Sequence, residues 1–268
     1  YDKFKTKFND SVAPVNSATI NDQFISPRVG LVYKPIEPVS LYTNYSLSYL
    51  PRTGEQLTSL TSSIKSFDPE KISNIEFGIK YDLLQSFSIS SAIYRLERSK
   101  MTITDPSNSS NTIIVDGQVT KGFELGLAGK LFDSYSMYGG YTYQDAEITK
   151  NQGTGATQIL SGTTLGHVSK HTFSLWNKYE INETWSAALG VVSRSDMYAA
   201  TPTTTTAVNL PGYTRVDAAI YANINKQTKL QLNIENLLDK TYYQSAHNNN
   251  NIMYGYPLTA RATVTYTF

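Results

Sequence analysis

The chain has 268 residues, with 23 basic and 22 acidic side chains, 20 tyrosines and no cysteine. This near-neutral, aromatic-rich composition excludes an intrinsically disordered chain and gives the molecule as a whole no strong attraction for nucleic acid or anionic lipid. A disulfide scaffold, a thiolate metal site and a cysteine nucleophile are excluded because each requires cysteine.

Targeting and membrane-spanning helices are not expected. No run approaches the ~18 consecutive apolar residues of a transmembrane helix. The first residues, Tyr1 to Phe4, have neither the apolar stretch nor the cleavage site of a signal peptide. We therefore expect that the chain is already processed or begins partway through a larger protein.

Alternation of apolar and polar residues with a period of two dominates the sequence. From Leu258 to Phe268 the even positions are apolar, while the odd positions are threonines and one arginine. The same alternation recurs at 74–83, 213–224 and 228–235. Since side chains of a strand point alternately to opposite faces, this pattern predicts a nearly all-β protein with no helix longer than two turns.

The predicted strands are joined by links that alternate between short and long. In chain order the strands are 1–8, 28–36, 39–50, 72–83, 86–104, 113–132, 134–147, 170–181, 184–198, 212–224, 228–237 and 257–268. Transmembrane β-barrels are meanders with short turns at one end and long loops at the other, and their strands need ~9–11 residues to cross the bilayer. Soluble sandwiches use shorter strands of ~5–6 residues. The sequence therefore favours an up-and-down antiparallel transmembrane β-barrel.

The two faces of the predicted strands differ in chemistry. Charges of both signs fall on the polar face, among them Glu76, Lys80, Arg215 and Asp217, and they indicate a wet or protein-filled interior. Aromatic residues flank the apolar face, as is typical where a barrel meets the lipid–water interfaces. These aromatic residues are Tyr33, Tyr45, Tyr49, Tyr81, Tyr135, Tyr143, Tyr179, Trp185 and Tyr266.

Several motifs along the chain resemble one family. They are Ser26–Pro35, Pro69-Glu70 followed by Glu76–Lys80, Gly122–Leu125, Ile234–Tyr243 and the closing Tyr266-Thr267-Phe268. In this order they are similar to the barrel strands of TonB-dependent outer-membrane receptors. The resemblance marks Asn236, Asp239 and Tyr242 as signature residues of the penultimate strand and Phe268 as the terminal aromatic signature for barrel insertion.

The resemblance also implies how the chain is organised. Such receptors carry a signal peptide, a TonB box, a globular plug and a 22-stranded plugged barrel. Residues 1–268 would then be the C-terminal 11–12 strands of that barrel, without the signal peptide, the TonB box, the plug and the first strands. One alternative stays open, in which twelve strands, with 1–8 counted, close as a complete small barrel.

The implied function is uptake of a ferric siderophore across a bacterial outer membrane by TonB-dependent active transport. Tyr33-Lys34-Pro35, with Tyr42–Tyr49 and Leu50-Pro51-Arg52, resembles the siderophore branch of the family. Two further segments, Thr201–Thr206 and Asn248–Asn251, resemble receptors for iron–catecholate siderophores. The siderophore oxygens hold the iron, so we expect no metal ligands and no resident cofactor. The expected partners are the siderophore, outer-membrane lipid and, through the missing N-terminal part, the TonB–ExbB–ExbD complex; a monomer without nucleic acid is expected.

Candidate ligand-binding residues are aromatic and cationic side chains at the loop ends of the strands. A flat-faceted, anionic chelate favours aromatic stacking and contacts with arginine or lysine. The candidates are Tyr49, Arg52, Tyr198, His247, Tyr254 and Tyr256. Loop tyrosines can also be ordinary interface residues.

Two alternatives to transport are a barrel hydrolase and a passive channel. A barrel hydrolase of the lipase or protease type would need a histidine with a nucleophile and an orienting group, and His167 and His171 are four residues apart, on one face if both lie in a strand. No recognisable nucleophile arrangement accompanies them, so an enzyme is not expected. A passive 12-stranded channel would require a barrel that closes by itself and lacks a plug.

Overall fold

A computed structural model describes residues 1–9, 18–51, 68–105, 108–115, 117–153 and 155–268. Within these residues the chain is almost entirely β-structure, with one short 3-10 helix at Gly155–Thr157. The strands are β1 (Asp2–Phe8), β2 (Ala18–Phe24), β3 (Arg28–Ile36), β4 (Val39–Leu50), β5 (Glu70–Leu84), β6 (Phe87–Ser99), β7 (Met101–Asp105), β8 (Asn108–Val115), β9 (Gln118–Phe132), β10 (Tyr135–Ile148), β11 (His171–Glu180), β12 (Trp185–Arg194), β13 (Met197–Tyr198), β14 (Asn209–Leu210), β15 (Tyr213–Asn223), β16 (Thr228–Glu235), β17 (Tyr243–Asn248), β18 (Asn251–Tyr254) and β19 (Thr259–Tyr266).

Eleven strands form a single antiparallel sheet. Its order is β19-β16-β15-β12-β11-β10-β9-β6-β5-β4-β3, so each strand lies beside its neighbours along the meander. The two outer strands, β3 and β19, are not paired with each other, and the sheet is an open arc. The remaining described strands form four separate hairpins, β1–β2, β7–β8, β13–β14 and β17–β18.

The short and long links lie at opposite ends of the sheet, as the sequence predicts. The short turns join β3 to β4, β5 to β6, β9 to β10, β11 to β12 and β15 to β16. The long links, which contain the extra hairpins, leave the sheet at the other end. We call these the short-turn end and the long-link end.

Register separates the strands into an apolar face and a polar face. One row of directly paired residues crosses seven strands and is mostly apolar: Tyr81, Ile89, Leu127, Gly139, Leu175, Val191 and Val216. The neighbouring row on the other face is polar or small: Lys80, Ser90, Gly126, Gly140, Ser174, Val192 and Arg215. Large side chains of the apolar face remain exposed, including Phe77, Leu189 and Val264. An exposed apolar surface of this extent indicates a contact with lipid or with another protein.

Aromatic residues border the apolar face at the short-turn end. Exposed rings of this group are Tyr33, Tyr81, Tyr179, Trp185 and Tyr266. Toward the long-link end the same face carries Tyr45, Tyr143 and His171. Two aromatic bands that enclose an apolar zone are typical of transmembrane barrels.

On the polar face, aromatic rings lie across glycines of the neighbouring strand. A Cβ atom added to any of these glycines would stand 2.2–2.3 Å from the opposing ring. The three pairs are Tyr42 over Gly78, Tyr94 over Gly122 and Trp176 over Gly190. The missing side chain lets each ring lie flat against the sheet, so the wall stays thin on this side.

The structure corrects several of the predicted strands. The predicted strand 113–132 comprises part of β8 and all of β9, and the predicted strand 184–198 comprises β12 and β13. The predicted strand 86–104 is divided, because Lys100 adopts a positive φ of 58° between β6 and β7. The predicted strand 228–237 ends at Glu235, because Asn236 has a φ of 54°. Residues 1–8 do form a strand, but it pairs with β2 in a hairpin rather than with the large sheet. The alternative of twelve strands closing a small barrel is therefore wrong for the described residues.

Candidate ligand-binding site at the long-link end

Asn236 organises the base of the link between β16 and β19. Its side chain is 1% exposed, and its Nδ2 donates to the carbonyl oxygens of Lys240 (2.9 Å) and Tyr256 (3.0 Å). Its Oδ1 accepts the backbone N–H of Lys240 at 3.0 Å. Asparagine tolerates the left-handed conformation better than most residues, so one side chain both turns the backbone and ties the two ends of the link.

The other two signature residues in this link act at the same base. Asp239, which also has a positive φ of 48°, accepts the backbone N–H of Leu258 at 2.9 Å. The ring of Tyr242 is buried, packs 4.3 Å from the ring of Tyr213, and lies over Gly255, where a Cβ atom would be 2.0 Å away. The residues of the penultimate-strand motif thus have a structural role: they fix where the last link leaves β16 and where it reaches β19.

Arg215 connects this base to the polar face. Its Nη1 donates to the hydroxyl of Tyr242 at 3.0 Å and lies 3.1 Å from Glu235, while its Nη2 donates to Asp217 at 2.9 Å. Asp217 in turn accepts the backbone N–H of Asn236 at 2.8 Å. Two of the charged residues predicted for the interior, Arg215 and Asp217, therefore belong to a connected network that supports the link.

Arg194, at the end of β12, contacts two links at the mouth. Its guanidinium donates to Ser169 Oγ (3.2 Å) and to the Tyr243 carbonyl oxygen (2.8 Å), and it lies 5.0 Å from the centroid of the Tyr213 ring. Ser169 belongs to the β10–β11 link and Tyr243 to the β16–β19 link. Arg194 is therefore a cross-link between loops rather than a free cation offered to a ligand.

The threonine tract Thr201–Thr206 holds two neighbouring links together. The hydroxyl of Thr204 donates to the carbonyl of Ala156 at 2.9 Å, and the hydroxyl of Thr205 donates to the same oxygen at 2.7 Å. The Thr204 N–H donates to the carbonyl of Gln158 at 2.9 Å. The tract thus fastens the β12–β15 link to the short 3-10 helix of the β10–β11 link.

Three candidate ligand residues, Tyr254, Tyr256 and His247, belong to the β16–β19 link. Tyr254 is 62% exposed and packs against Tyr243 with ring centroids 4.9 Å apart. The hydrogen bond between these two hydroxyls raises the pKa of Tyr243 above the ordinary tyrosine value. Tyr256 is also exposed, while His247 is exposed near the tip of the β17–β18 hairpin. Met253, the residue before Tyr254 on β18, is also exposed.

The other candidates are placed elsewhere. Tyr198 lies in β13 on the β12–β15 link, where its carbonyl accepts the backbone N–H of His167 at 2.8 Å. Tyr49 falls in the register row of the apolar face and stacks on Phe24 of β2, with centroids 4.9 Å apart. Arg52 lies outside the described residues. Tyr254, Tyr256 and His247 therefore share one link, whereas Tyr49 faces away from the polar wall.

The two histidines considered for catalysis do not share a strand. His167 precedes β11 and has a positive φ of 64°. His171 is the first residue of β11, on the apolar face, and its Nδ1 lies 2.7 Å from the hydroxyl of Tyr141. The described residues contain no cluster of three or more histidine, aspartate or glutamate side chains that could hold a metal ion.

Phe268, the terminal signature residue, is fully exposed at the short-turn end. Its ring meets Tyr266 edge-on, with centroids 5.1 Å apart. This arrangement leaves the end of the chain accessible.

The sequence does not mark Tyr213 as a residue that builds the mouth, and it marks Tyr243, Thr204 and Thr205 only as members of longer motifs. Their contacts join residues far apart in the sequence, which no local pattern records. Tyr243 could have been found, because it follows Tyr242 at the end of a recognised motif.

The open meander, with one exposed apolar face between aromatic bands and one charged face, defines a wall segment of a large antiparallel β-barrel. A family model described as "TonB dependent receptor-like, beta-barrel" matches residues 1–237. The chain belongs to this family, which confirms both the resemblance and the fold class.

Individual relatives agree with the family assignment. The probable TonB-dependent siderophore receptor PiuA of Acinetobacter baumannii is 32% identical over 92% of this chain and 35% of its own length. The metal-pseudopaline receptor CntO of Pseudomonas aeruginosa is 30% identical over 97% of this chain and 36% of its own length. The catecholate siderophore receptor Fiu of Escherichia coli is 27% identical over 81% of this chain and 29% of its own length. The chain therefore spans about a third of the length of these relatives.

A solved structure shows the same arc of strands. The crystal structure of PiuA from Acinetobacter baumannii superposes with a TM-score of 0.83 at 28% sequence identity, over 98% of this chain and 39% of that one. This chain therefore matches only part of that receptor, and in this chain the outer strands β3 and β19 are not paired with each other.

Proposed function

We propose that this chain forms part of the wall and outer mouth of a bacterial outer-membrane receptor that binds a ferric siderophore and imports it by TonB-dependent active transport. The observation that carries the proposal is the exposed aromatic surface of Tyr254 and Tyr256 at the long-link end of a TonB-dependent receptor barrel. Iron enters as part of the chelate, so the protein needs neither metal ligands nor a resident cofactor.

The two faces of the sheet support a position in the outer membrane. The exposed apolar face, bounded by aromatic bands, suits contact with hydrocarbon, and the long links would then face the outside of the cell. The charged face, with its ion pairs between Arg215, Asp217 and Glu235, suits a lumen filled with water or protein.

The open edges support a larger barrel around this arc. An edge strand presents unpaired N–H and C=O groups, which cannot face lipid, so β3 and β19 need further strands beside them. We propose that the rest of the receptor supplies those strands and a plug, and that it contacts the TonB–ExbB–ExbD complex. A single barrel of this kind would work as a monomer.

The proposed chelate is of the catecholate type. Catechol rings are flat and their iron complexes are anionic, so stacking on exposed tyrosines and nearby cations would both contribute to binding. The names of PiuA and Fiu support a siderophore, and that of Fiu a catecholate. CntO, by its name, recognises a different metal chelate, metal-pseudopaline, so binding experiments should compare a ferric catecholate with that chelate.

Transport rather than catalysis is proposed for this chain. The relatives are named as receptors, and among the described residues His171 contacts a tyrosine on the apolar face rather than a nucleophile with an orienting carboxylate. The proposal therefore assigns no catalytic residue.

We predict that Tyr254→Ala and Tyr256→Ala each weaken binding of a ferric catecholate by about fivefold, because each removes one exposed stacking surface worth about 1 kcal/mol. Tyr254→Phe should retain most of the affinity, since it keeps the ring. Equilibrium binding to the purified receptor, as its gene encodes it, checks the prediction, and growth on the ferric chelate as sole iron source gives the consequence for transport.

Tyr179→Ala is the matched control, because Tyr179 is similarly exposed but lies at the short-turn end. Its affinity for the chelate should equal that of the unaltered receptor. Unchanged binding in both Tyr254→Ala and Tyr256→Ala would show that this surface is not the binding site. Arg52→Ala, at the candidate outside the described residues, extends the same test to the β4–β5 link.

A further inference from the structure

The hairpin that carries Tyr254 has few attachments to the rest of the molecule. Its strands, β17 and β18, pair only with each other and not with the eleven-stranded sheet. Among the described residues, one hydrogen bond joins residues 243–256 to a segment outside the β16–β19 link: the Nη2 of Arg194 donates to the carbonyl oxygen of Tyr243 at 2.8 Å. Arg194 therefore holds the hairpin where it leaves the base of the link.

Arg194 is itself held in place by its surroundings. It is the last residue of β12 and is paired with Tyr213 of β15. Its Nη1 donates to Ser169 Oγ at 3.2 Å, and its guanidinium lies 5.0 Å from the centroid of the Tyr213 ring. Ser169 is 6% exposed, and its carbonyl oxygen accepts Gln144 Nε2 at 3.3 Å. Because the guanidinium is a rigid fork of donors, these contacts leave little freedom for the group that it binds.

The charge of Arg194 is not paired with a carboxylate of any described residue. Its hydrogen-bond acceptors are the hydroxyl of Ser169 and the carbonyl oxygens of Ser195 and Tyr243. A hydrogen bond from a charged donor is roughly twice as strong as one between neutral groups. The bond to the Tyr243 carbonyl is therefore a strong attachment for the hairpin, with no anion competing for the donor.

The contact at Tyr243 reaches Tyr254 through the pairing of the hairpin. These two residues are directly opposite each other in the register of β17 and β18, and their ring centroids are 4.9 Å apart. Tyr256 is tied in a different way, since its carbonyl oxygen accepts Asn236 Nδ2 at 3.0 Å. The two exposed tyrosines of the candidate site therefore have separate supports, Arg194 for Tyr254 and Asn236 for Tyr256.

We propose that Arg194 is a positioning residue of the chelate-binding surface: it holds the β17–β18 hairpin so that the ring of Tyr254 is in place before the ligand arrives. A surface that is already ordered binds more tightly, because the ligand does not have to order it. If only a fraction of the receptors holds the ring in place, the apparent affinity falls by that fraction. The inference rests on the proposed function, because it concerns the binding of the same ferric catecholate.

Equilibrium binding of iron(III) tris-catecholate to the purified receptor, as its gene encodes it, tests the inference. Arg194→Ala should weaken binding about fourfold, close to the loss expected when the Tyr254 ring itself is removed. Arg95→Ala is the matched control and should leave the affinity unchanged. Arg95 is an exposed arginine of β6, and its ion-pair partner is Glu97 of the same strand.

A double-mutant cycle distinguishes positioning from a general loss of structure. Arg194→Ala/Tyr254→Ala should bind only about fivefold more weakly than the unaltered receptor, like Tyr254→Ala alone, because Arg194 has no ring left to position. Arg194→Ala/Tyr256→Ala should bind about 20-fold more weakly, because independent losses multiply. Direct attraction between Arg194 and the chelate, or local misfolding, would lower the affinity by the same factor with and without Tyr254, and that result would overturn the inference.

A spin label on the hairpin gives a readout that needs no ligand. The chain contains no cysteine, so Met253→Cys, next to Tyr254 in β18, can carry a single nitroxide. The electron paramagnetic resonance spectrum of this label should show greater mobility when Arg194→Ala is added and no change when Arg95→Ala is added. Equal mobility with and without Arg194→Ala would overturn the inference.

Failure of this inference and failure of the proposed function give different results. An unaltered receptor that binds no iron(III) tris-catecholate would overturn the proposed function and this inference together. Binding by the unaltered receptor, with equal affinity in Arg194→Ala, would overturn the inference alone.

Discussion

Replacement of Asn236 by alanine should destabilise the receptor by about 4 kcal/mol. The buried amide makes three hydrogen bonds across the base of the β16–β19 link, and alanine would leave the Lys240 and Tyr256 backbone groups unsatisfied. Alanine also adopts the φ of 54° less readily than asparagine. The measurement is the free energy of unfolding in urea of the receptor refolded into lipid vesicles.

Two further substitutions separate the causes of this loss. Asn236→Gly should be less harmful than Asn236→Ala by about 1 kcal/mol, because glycine accepts a positive φ. Asn225→Ala is the matched control in the β15–β16 turn, where an exposed side chain accepts the backbone N–H groups of Gln227 and Thr228. It should cost about 1 kcal/mol or less, since water can replace exposed hydrogen bonds. Equal losses for Asn225→Ala and Asn236→Ala would contradict this account of the signature residue.

Gly129→Ala should be comparably disruptive, at about 3 kcal/mol or more. Gly129 has a φ of 129°, and an added Cβ atom would lie 1.9 Å from the backbone oxygen of Ser86, the residue before β6. Because the obstacle is backbone, relief requires β6 and β9 to move apart near their short-turn end. Strain at a glycine-only conformation and the steric clash therefore add. Unfolding in urea of the refolded receptor again provides the measurement.

Two glycines of this chain serve as graded controls. Gly162 also has a positive φ, of 84°, but an added Cβ atom would meet nothing within 4 Å, so Gly162→Ala should cost only about 1 kcal/mol. Gly30 shows no positive φ, and its nearest atom would be the Thr43 carbonyl oxygen at 3.6 Å, so Gly30→Ala should be nearly neutral. Any other order of the three losses would show that the backbone at Gly129 is not constrained as described.

Most of the barrel wall could be predicted from the sequence, because lipid on one side and a polar lumen on the other impose alternation directly on each strand. The positions of the hairpins outside the wall could not. Residues 1–8 alternate like a wall strand, yet β1 pairs with β2, and the packed side of β2 includes the buried Asp22, which conceals its alternation. Pairing depends on distant contacts that the period of a single segment does not contain.

For the candidate site, the sequence identifies some of the residues but not the contacts that they make. The signature residues Asn236, Asp239 and Tyr242 could be found through the family motif, but the motif does not reveal that they hold the base of a link. The tract Thr201–Thr206 suggested a resemblance in substrate, whereas its hydroxyls bind the backbone of the adjacent link. Composition shows which residues a loop contains, and only the fold shows whether they face a ligand or another loop.

We propose that one face of this sheet contacts lipid while the other lines the receptor lumen. The absence of cysteine allows single fluorescent labels at chosen positions. Adjacent residues on opposite faces form natural pairs, Ile79→Cys with Lys80→Cys on β5 and Ile220→Cys with Tyr221→Cys on β15.

The decisive measurement is quenching of these labels in the receptor reconstituted into vesicles that contain lipids with brominated acyl chains. We expect strong quenching at positions 79 and 220 and little at positions 80 and 221, with the reverse order for a water-soluble quencher. Equal quenching within each pair, or a reversed order, would contradict the assignment of the apolar face to the membrane.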